Sequence, residues 1–181
     1  MEHNLEETAA ILERTPAVLD ALLRGLPEIW TRGNEGQGTW SPFDVVAHLI
    51  HTERENWIPR VRLILDYGKT RAFAPFDREG NFRELQDQTM EHLLDEFRRA
   101  RGQSLQELGS FDLLPQDLER QGQHPALGQV TLSQLLAAWA AHDLTHLHQI
   151  SRVMALQYRE AVGPWSRFLG VMQCTGHSAQ A

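Results

Sequence analysis

One cysteine is present in 181 residues, Cys174 near the C-terminal end, so the chain cannot close a disulfide on itself, and a zinc site built from cysteines is excluded. Positive charge is also in short supply. Lys and Arg number 17 against 24 Asp and Glu, a formal net charge of −7 with histidine neutral. That balance provides no basic footprint for nucleic acid and no polybasic signal for anionic lipid. No apolar run approaches the ~20 residues of a membrane span, and the acidic start Met1-Glu2-His3-Asn4-Leu5-Glu6-Glu7 is unlike the basic opening of a signal peptide. Internal repeats and low-complexity segments are missing. Alternating strand patterns are nearly so. What remains is a chain 41% hydrophobic, the composition of a folded globule. Its length suits one domain at roughly 100–200 residues each. The expectation is a soluble, cytoplasmic single domain over 1–181, with its core at about 8–158 and a tail at 163–181.

Glycine and proline leave four long stretches free for helices. The first runs from about Leu5 to Leu26, with Ile11, Leu12, Val18, Leu19, Leu22 and Leu23 at helical spacing. Thr15-Pro16 inside it predicts either a kink or the start of a second piece. A loop by composition, 31–38, follows. The second stretch opens at Trp40-Ser41-Pro42, with Ser41 as N-cap, Pro42 at the first helical position and Asp44 favoured by the helix dipole. It reaches about Asp66, before Tyr67-Gly68, and Pro59 should bend its last third. Lys69 to Gly80 is a connection carrying Phe73, Pro75 and Phe76. The third helix spans about Asn81 to Leu108, weakened at Gly102. A long turn-rich loop with Pro115, Gly122, Pro125 and Gly128 leads to the fourth, from Val130-Thr131-Leu132 to about Tyr158. A short terminal helix is expected between Gly163 and Cys174. Four long helices joined by loops define an all-α, antiparallel bundle.

Three of the nine histidines lie in the fourth stretch, within Trp139-Ala140-Ala141-His142-Asp143-Leu144-Thr145-His146-Leu147-His148-Gln149-Ile150. At ~100° per residue, His142 and His146 fall on the apolar stripe through Leu132, Leu135, Leu136, Trp139, Ile150 and Val153, one turn apart, while His148 points away. Imidazoles at i and i+4, with Cβ atoms ~5–6 Å apart, can converge on one metal at ~2.0–2.1 Å. The plainer reading is a pair of hydrogen-bonded core histidines. Against it, two imidazoles and the Asp143 carboxylate in a bundle core cost several kcal/mol unless something satisfies them, which a cation does. A third ligand is available on the second helix as His48 or His51. His48 lies about 140° from the centre of the main stripe and His51 about 80°, but Val45, Leu49 and Leu63 give that helix a second apolar side beside His48. Periodicity mildly favours His51 and leaves the choice open.

With these segments in view the sequence resembles the DinB-like family, the damage-inducible and YfiT-like bundles. The carrying residues are Trp40-Ser41-Pro42-Phe43-Asp44-Val45-Val46-Ala47-His48-Leu49 and His142 to Ile150, with His124-Pro125 and Gly128 as a lead-in to the last helix. The likeness extends from about Leu12 to Val153. It implies an up-down four-helix bundle with a long crossover connection, often a homodimer, and a divalent metal (nickel, zinc or iron) on His48, His142 and His146. The resemblance thus selects His48 over His51.

Three neutral imidazoles leave one to three positions open on such a metal, which lowers the pKa of a bound water or thiol and polarises a carbonyl. Family members with known activity include transferases and isomerases that use bacillithiol or mycothiol. The resemblance therefore implies an enzyme acting on a small-molecule substrate, either a transferase dependent on a low-molecular-weight thiol or a hydrolase. Asp143 is a candidate general base or acceptor for an imidazole N–H, and Asp44 could orient the His48 ring. Trp57 and Trp139 could wall the pocket. Arg54, Arg60 and Arg62 are the nearest cations for a thiol cofactor, although a solvated face shared with Glu53 and Glu55 is the commoner arrangement. His51, His92, His124 and His148 are expected at the surface or in loops, His3 and His177 in the termini, and Cys174 in the tail without a nucleophilic role. A non-catalytic, metal-stabilised bundle serving as a stress-linked interaction module is the competing function. A DNA-acting role fits poorly with the charge of −7.

Overall fold

The computed structural model describes residues 4–77, 80 and 85–174. Helix α1, Leu5–Leu23, starts at Asn4, whose side chain accepts from the Glu7 backbone N–H. The expected break at Thr15-Pro16 does not occur, and α1 runs through Pro16 as one helix. Proline removes the donor that would reach the carbonyl four residues back. That carbonyl, of Leu12, instead accepts from the Arg101 guanidinium at 2.8 Å. A four-residue helix α2, Glu28–Thr31, precedes the loop to α3, Pro42–Glu55. Ser41 caps α3 as expected, in a reciprocal capping box with Asp44, and this engages the Asp44 carboxylate at the helix start.

The second predicted helix is two. It is interrupted at Asn56, where φ −112° and ψ −63° distort the turn, and continues as α4, Trp57–Tyr67. The cause is Pro59, whose ring conflicts with the carbonyl of residue 55 one turn earlier, so the break falls upstream of the proline. Past α4, a 3₁₀ turn over Gly68–Thr70 leads into an extended strap through residue 77. Helix α5, Met90–Ser110, is capped by Thr89. The expected start near Asn81 falls among residues 81–84, outside the described residues.

The turn-rich loop ahead of the last helix is a correction to the all-loop expectation. Gln121–His124 (β1) and Gly128–Thr131 (β2) form an antiparallel hairpin, registered Gln121 with Thr131 and His124 with Gly128. The strap joins it, because Ala72 bridges Gln123 and the Phe73 N–H donates to the Gln123 carbonyl at 2.9 Å. The closing helix α6, Leu132–Leu156, carries a Thr131–Gln134 capping box. Beyond it, short 3₁₀ turns over Gly163–Phe168 and Gly170–Met172 stand where one terminal helix was expected.

Two apolar clusters fill the bundle. One gathers Leu19, Leu23, Phe43, Val46, Ile50, Leu93, Phe97 and Ile150. The other gathers Leu12, Trp57, Ile64, Leu108, Leu132, Leu136 and Trp139. The order in which each helix visits them sets its direction: α1 and α6 run from the second cluster to the first, α3–α4 and α5 from the first to the second. The bundle is therefore up-down-down-up, and the parallel step from α4 to α5 demands the long crossover over 68–89. Between the clusters lies a buried polar layer of Glu53, Arg101 and Asp143. Among the described residues no helix is long and apolar enough to cross a membrane.

Candidate metal centre

His48 projects from the middle of α3, and His142 and His146 from successive turns of α6. Their Nε2 atoms converge: His142 Nε2 lies 3.2 Å from that of His48 and 3.1 Å from that of His146. His48 and His146 are buried and His142 is half-buried. The Nδ1 of His146 meets Gln149 Oε1 at 2.8 Å. The amide oxygen only accepts, so Nδ1 carries the proton and Nε2 turns its lone pair inward, the arrangement a metal-ligating imidazole needs. Trp40 packs on His48 and lies parallel to His146, at centroid distances of 4.8 and 6.2 Å. Trp57 stands edge-on to His142 at 5.2 Å and stacks on Trp139. Trp57 thus borders the histidines, and Trp139, wholly buried behind it, belongs to the core.

A tetrahedral ion bound at ~2.0–2.1 Å sets its nitrogen ligands about 3.3–3.4 Å apart. The 3.1–3.2 Å from His142 to each of the other two is close to that spacing, and imidazole is a donor suited to nickel, zinc and iron alike. All three ligand atoms lie within 4.8 Å of one another. They form part of the wall of a cavity of about 580 Å³, which is also lined by Trp40, Asn56, Arg60, Phe76 and His124.

His51 does not join them. Its Nε2 bonds the Asp77 carbonyl at 2.8 Å, and its ring stacks on Phe76 at 4.9 Å. Expected at the surface, it is buried, because the strap lays Phe76 over this part of α3. It lines a neighbouring cavity of about 350 Å³.

Asp143 follows His142 in sequence but sits a third of a turn round the helix, fully buried. Both of its oxygens accept from Arg101, at 2.6 and 2.9 Å. Glu53, expected on a solvated face, is buried too. Its Oε1 accepts from Arg101 at 2.8 Å and from the Trp139 indole N–H at 3.0 Å. Burial, only partly offset by Arg101, pushes the Glu53 carboxyl above the usual glutamate range. Burial opposes the Arg101 charge, yet the two carboxylates outweigh it and hold the guanidinium protonated. Of the three α3–α4 arginines, Arg54 and Arg62 pair with Glu96 and Glu107, each at 2.5 Å. Arg60 faces the cavity. His124, expected in a loop, is at the end of β1 and lines the same cavity. His92 is exposed and His148 half-buried, Cys174 is exposed, and His3 and His177 lie outside the described residues.

The DinB superfamily model matches residues 11–150, and the chain belongs to that superfamily. Among solved structures it is similar to YfiT from Bacillus subtilis, described as a probable metal-dependent hydrolase with an unusual four-helix bundle topology. The TM-score is 0.66 at 25% identity, covering 83% of this chain and 87% of that one. TT2238, a four-helix bundle protein, shares the fold with a TM-score of 0.56 at 24% identity, over 85% of this chain and 98% of its own. No curated protein matches the sequence.

Proposed function

We propose that this chain is a divalent-metal-dependent hydrolase of small molecules, with His48, His142 and His146 as ligands. The observation that carries the proposal is the convergence of three imidazole Nε2 atoms in the wall of an open cavity. The description of YfiT as a metal-dependent hydrolase supports it. A bound divalent ion supplies Lewis acidity, polarising a carbonyl and activating water for attack. The protein's own part is positional. Gln149 fixes the His146 tautomer, Trp40 shields one side of the histidines from solvent, and α6 holds two ligands one turn apart. With both oxygens engaged by Arg101, Asp143 is a positioning residue in this proposal, anchoring α6 beside His142, and not the base that removes a proton.

The test is elemental analysis of the untagged protein beside His48→Ala, His142→Ala and His146→Ala, followed by turnover of esters and amides with and without added thiol. About one nickel, zinc or iron per chain, lost in each variant, together with thiol-independent turnover, is the expected result. A strict thiol requirement would replace the hydrolase with a thiol-dependent transferase on the same ligands. No metal in the wild type after loading would sink the proposal.

A further inference from the structure

The cavity holds a second polar group that the three histidines do not use. Although acidic residues outnumber basic ones in the chain, no carboxylate lines this cavity among the described residues. Its lining instead includes Arg60 and His124. Unlike Arg54 and Arg62, the half-buried Arg60 guanidinium makes no ion pair among the described residues; its Cζ lies 5.1 Å from the centroid of the Phe73 ring. His124 packs edge-on against that same ring at 6.0 Å. The His124 Nδ1 accepts from the backbone N–H of Ala126 at 3.1 Å and of Leu127 at 3.2 Å. In the neutral ring the proton is therefore on Nε2, which makes that atom a donor. Burial draws both groups below their ordinary pKa values, and the Arg60 charge adds to the effect on His124. Glu55 and Asp77 line the smaller cavity on the other side of Arg60.

A guanidinium with no ion pair among the described residues, half removed from water and braced on a phenyl ring, is costly to leave unpartnered. A second donor on the same ring completes a site for an oxyanion. We propose that Arg60 and His124 form an anion subsite, receiving a carboxylate or phosphate of a substrate whose reacting bond lies at the three histidines. The substrates are then small anionic molecules. The subsite deepens the hydrolase proposal and rests on it only for where the reaction occurs.

The experiment titrates inorganic phosphate and, separately, propionate into the full-length protein, reading the His124 ring resonances by NMR. Arg60→Gln, Arg60→Lys and His48→Ala are titrated in parallel, and metal content is measured on every preparation. A saturable His124 shift is expected with at least one anion, the stronger response naming the group bound. Arg60→Gln should weaken it about ten- to hundredfold, the loss of one charge-assisted contact, and Arg60→Lys should restore part of it. His48→Ala should retain a saturable shift, because Arg60 and His124 are both still present. Equal binding by Arg60→Gln, or a shift abolished by His48→Ala, overturns the subsite. A wild type free of metal that keeps the Arg60-dependent shift overturns the hydrolase and leaves the subsite standing.

Discussion

Arg101 donates to four acceptor atoms on three other helices: the Leu12 carbonyl, one oxygen of Glu53 and both oxygens of Asp143. One guanidinium thus ties α5 to α1, α3 and α6. It faces two buried carboxylates, and burial favours a proton on Glu53. The sign of the consequence is fixed. With the folded pKa above the unfolded value of about 4.3, the native chain holds more protons than the unfolded one between the two values. This residue's contribution to stability therefore falls as pH rises from about 4.3 and levels off above the folded pKa. Glu53→Gln, which mimics the protonated acid, should flatten that descent in urea midpoints measured across this range. Parallel curves for the two proteins would refute it. At this scale the sequence was only half legible. His142 and His146 stood out because HxxxH on an apolar stripe sets two imidazoles one turn apart on one face, although a hydrogen-bonded core pair was the plainer reading. Glu53 and Arg101 were passed over because charge suggests solvent, although Glu53 continues the spacing of Val46, Ile50 and Trp57, and Arg101 that of Leu94, Phe97 and Leu108. A charge on the apolar stripe of each of two neighbouring helices was the available signal.

Elements were readable where capping chemistry marks them. Ser41-Pro42 announced α3 to the residue, since the cap depends on local side chains alone, and the start read at Val130-Thr131-Leu132 holds for α6, which Thr131 caps. The hairpin was not readable. Gln121-Gly122-Gln123-His124 has no β-branched or aromatic residue, and its strands are held by backbone pairing and by the strap delivered from fifty residues upstream. Gly122 is the contact point. A Cβ there would come within 2.8 Å of both Ile64 Cγ1 and Phe73 Cζ. Gly122→Ala should cost about 1–3 kcal/mol through overpacking, read as a lowered thermal midpoint. Because Phe73 braces Arg60 and His124, the same substitution should weaken anion binding, whereas an unchanged midpoint would mean that strap and hairpin are not closely packed.

For the whole molecule, the three histidines join α3 to α6, which follow opposite directions through the two cores. An ion bound there stabilises the folded state by mass action, about 2.7 kcal/mol at a hundredfold excess over Kd. In a chain of this size that corresponds to a rise in Tm of roughly 5–10 °C. His142→Ala should show no rise on loading, and calorimetry with and without metal decides it. The four-helix outline was legible from the spacing of apolar residues. Periodicity did not separate His48 from His51, whereas the resemblance did; in the structure His48 lies with His142 and His146, and Phe76 from the crossover covers His51, a contact no local pattern encodes. The cavity divides along the same line. Its floor stands on long helices pinned by the Arg101 layer, while Phe76, His124 and Ala126 of its rim come from the crossover and the hairpin. Both segments lie outside the helices that carry His48, His142 and His146. On the proposed function, new substrates are reached by editing two connections while the bundle keeps the three histidines in place.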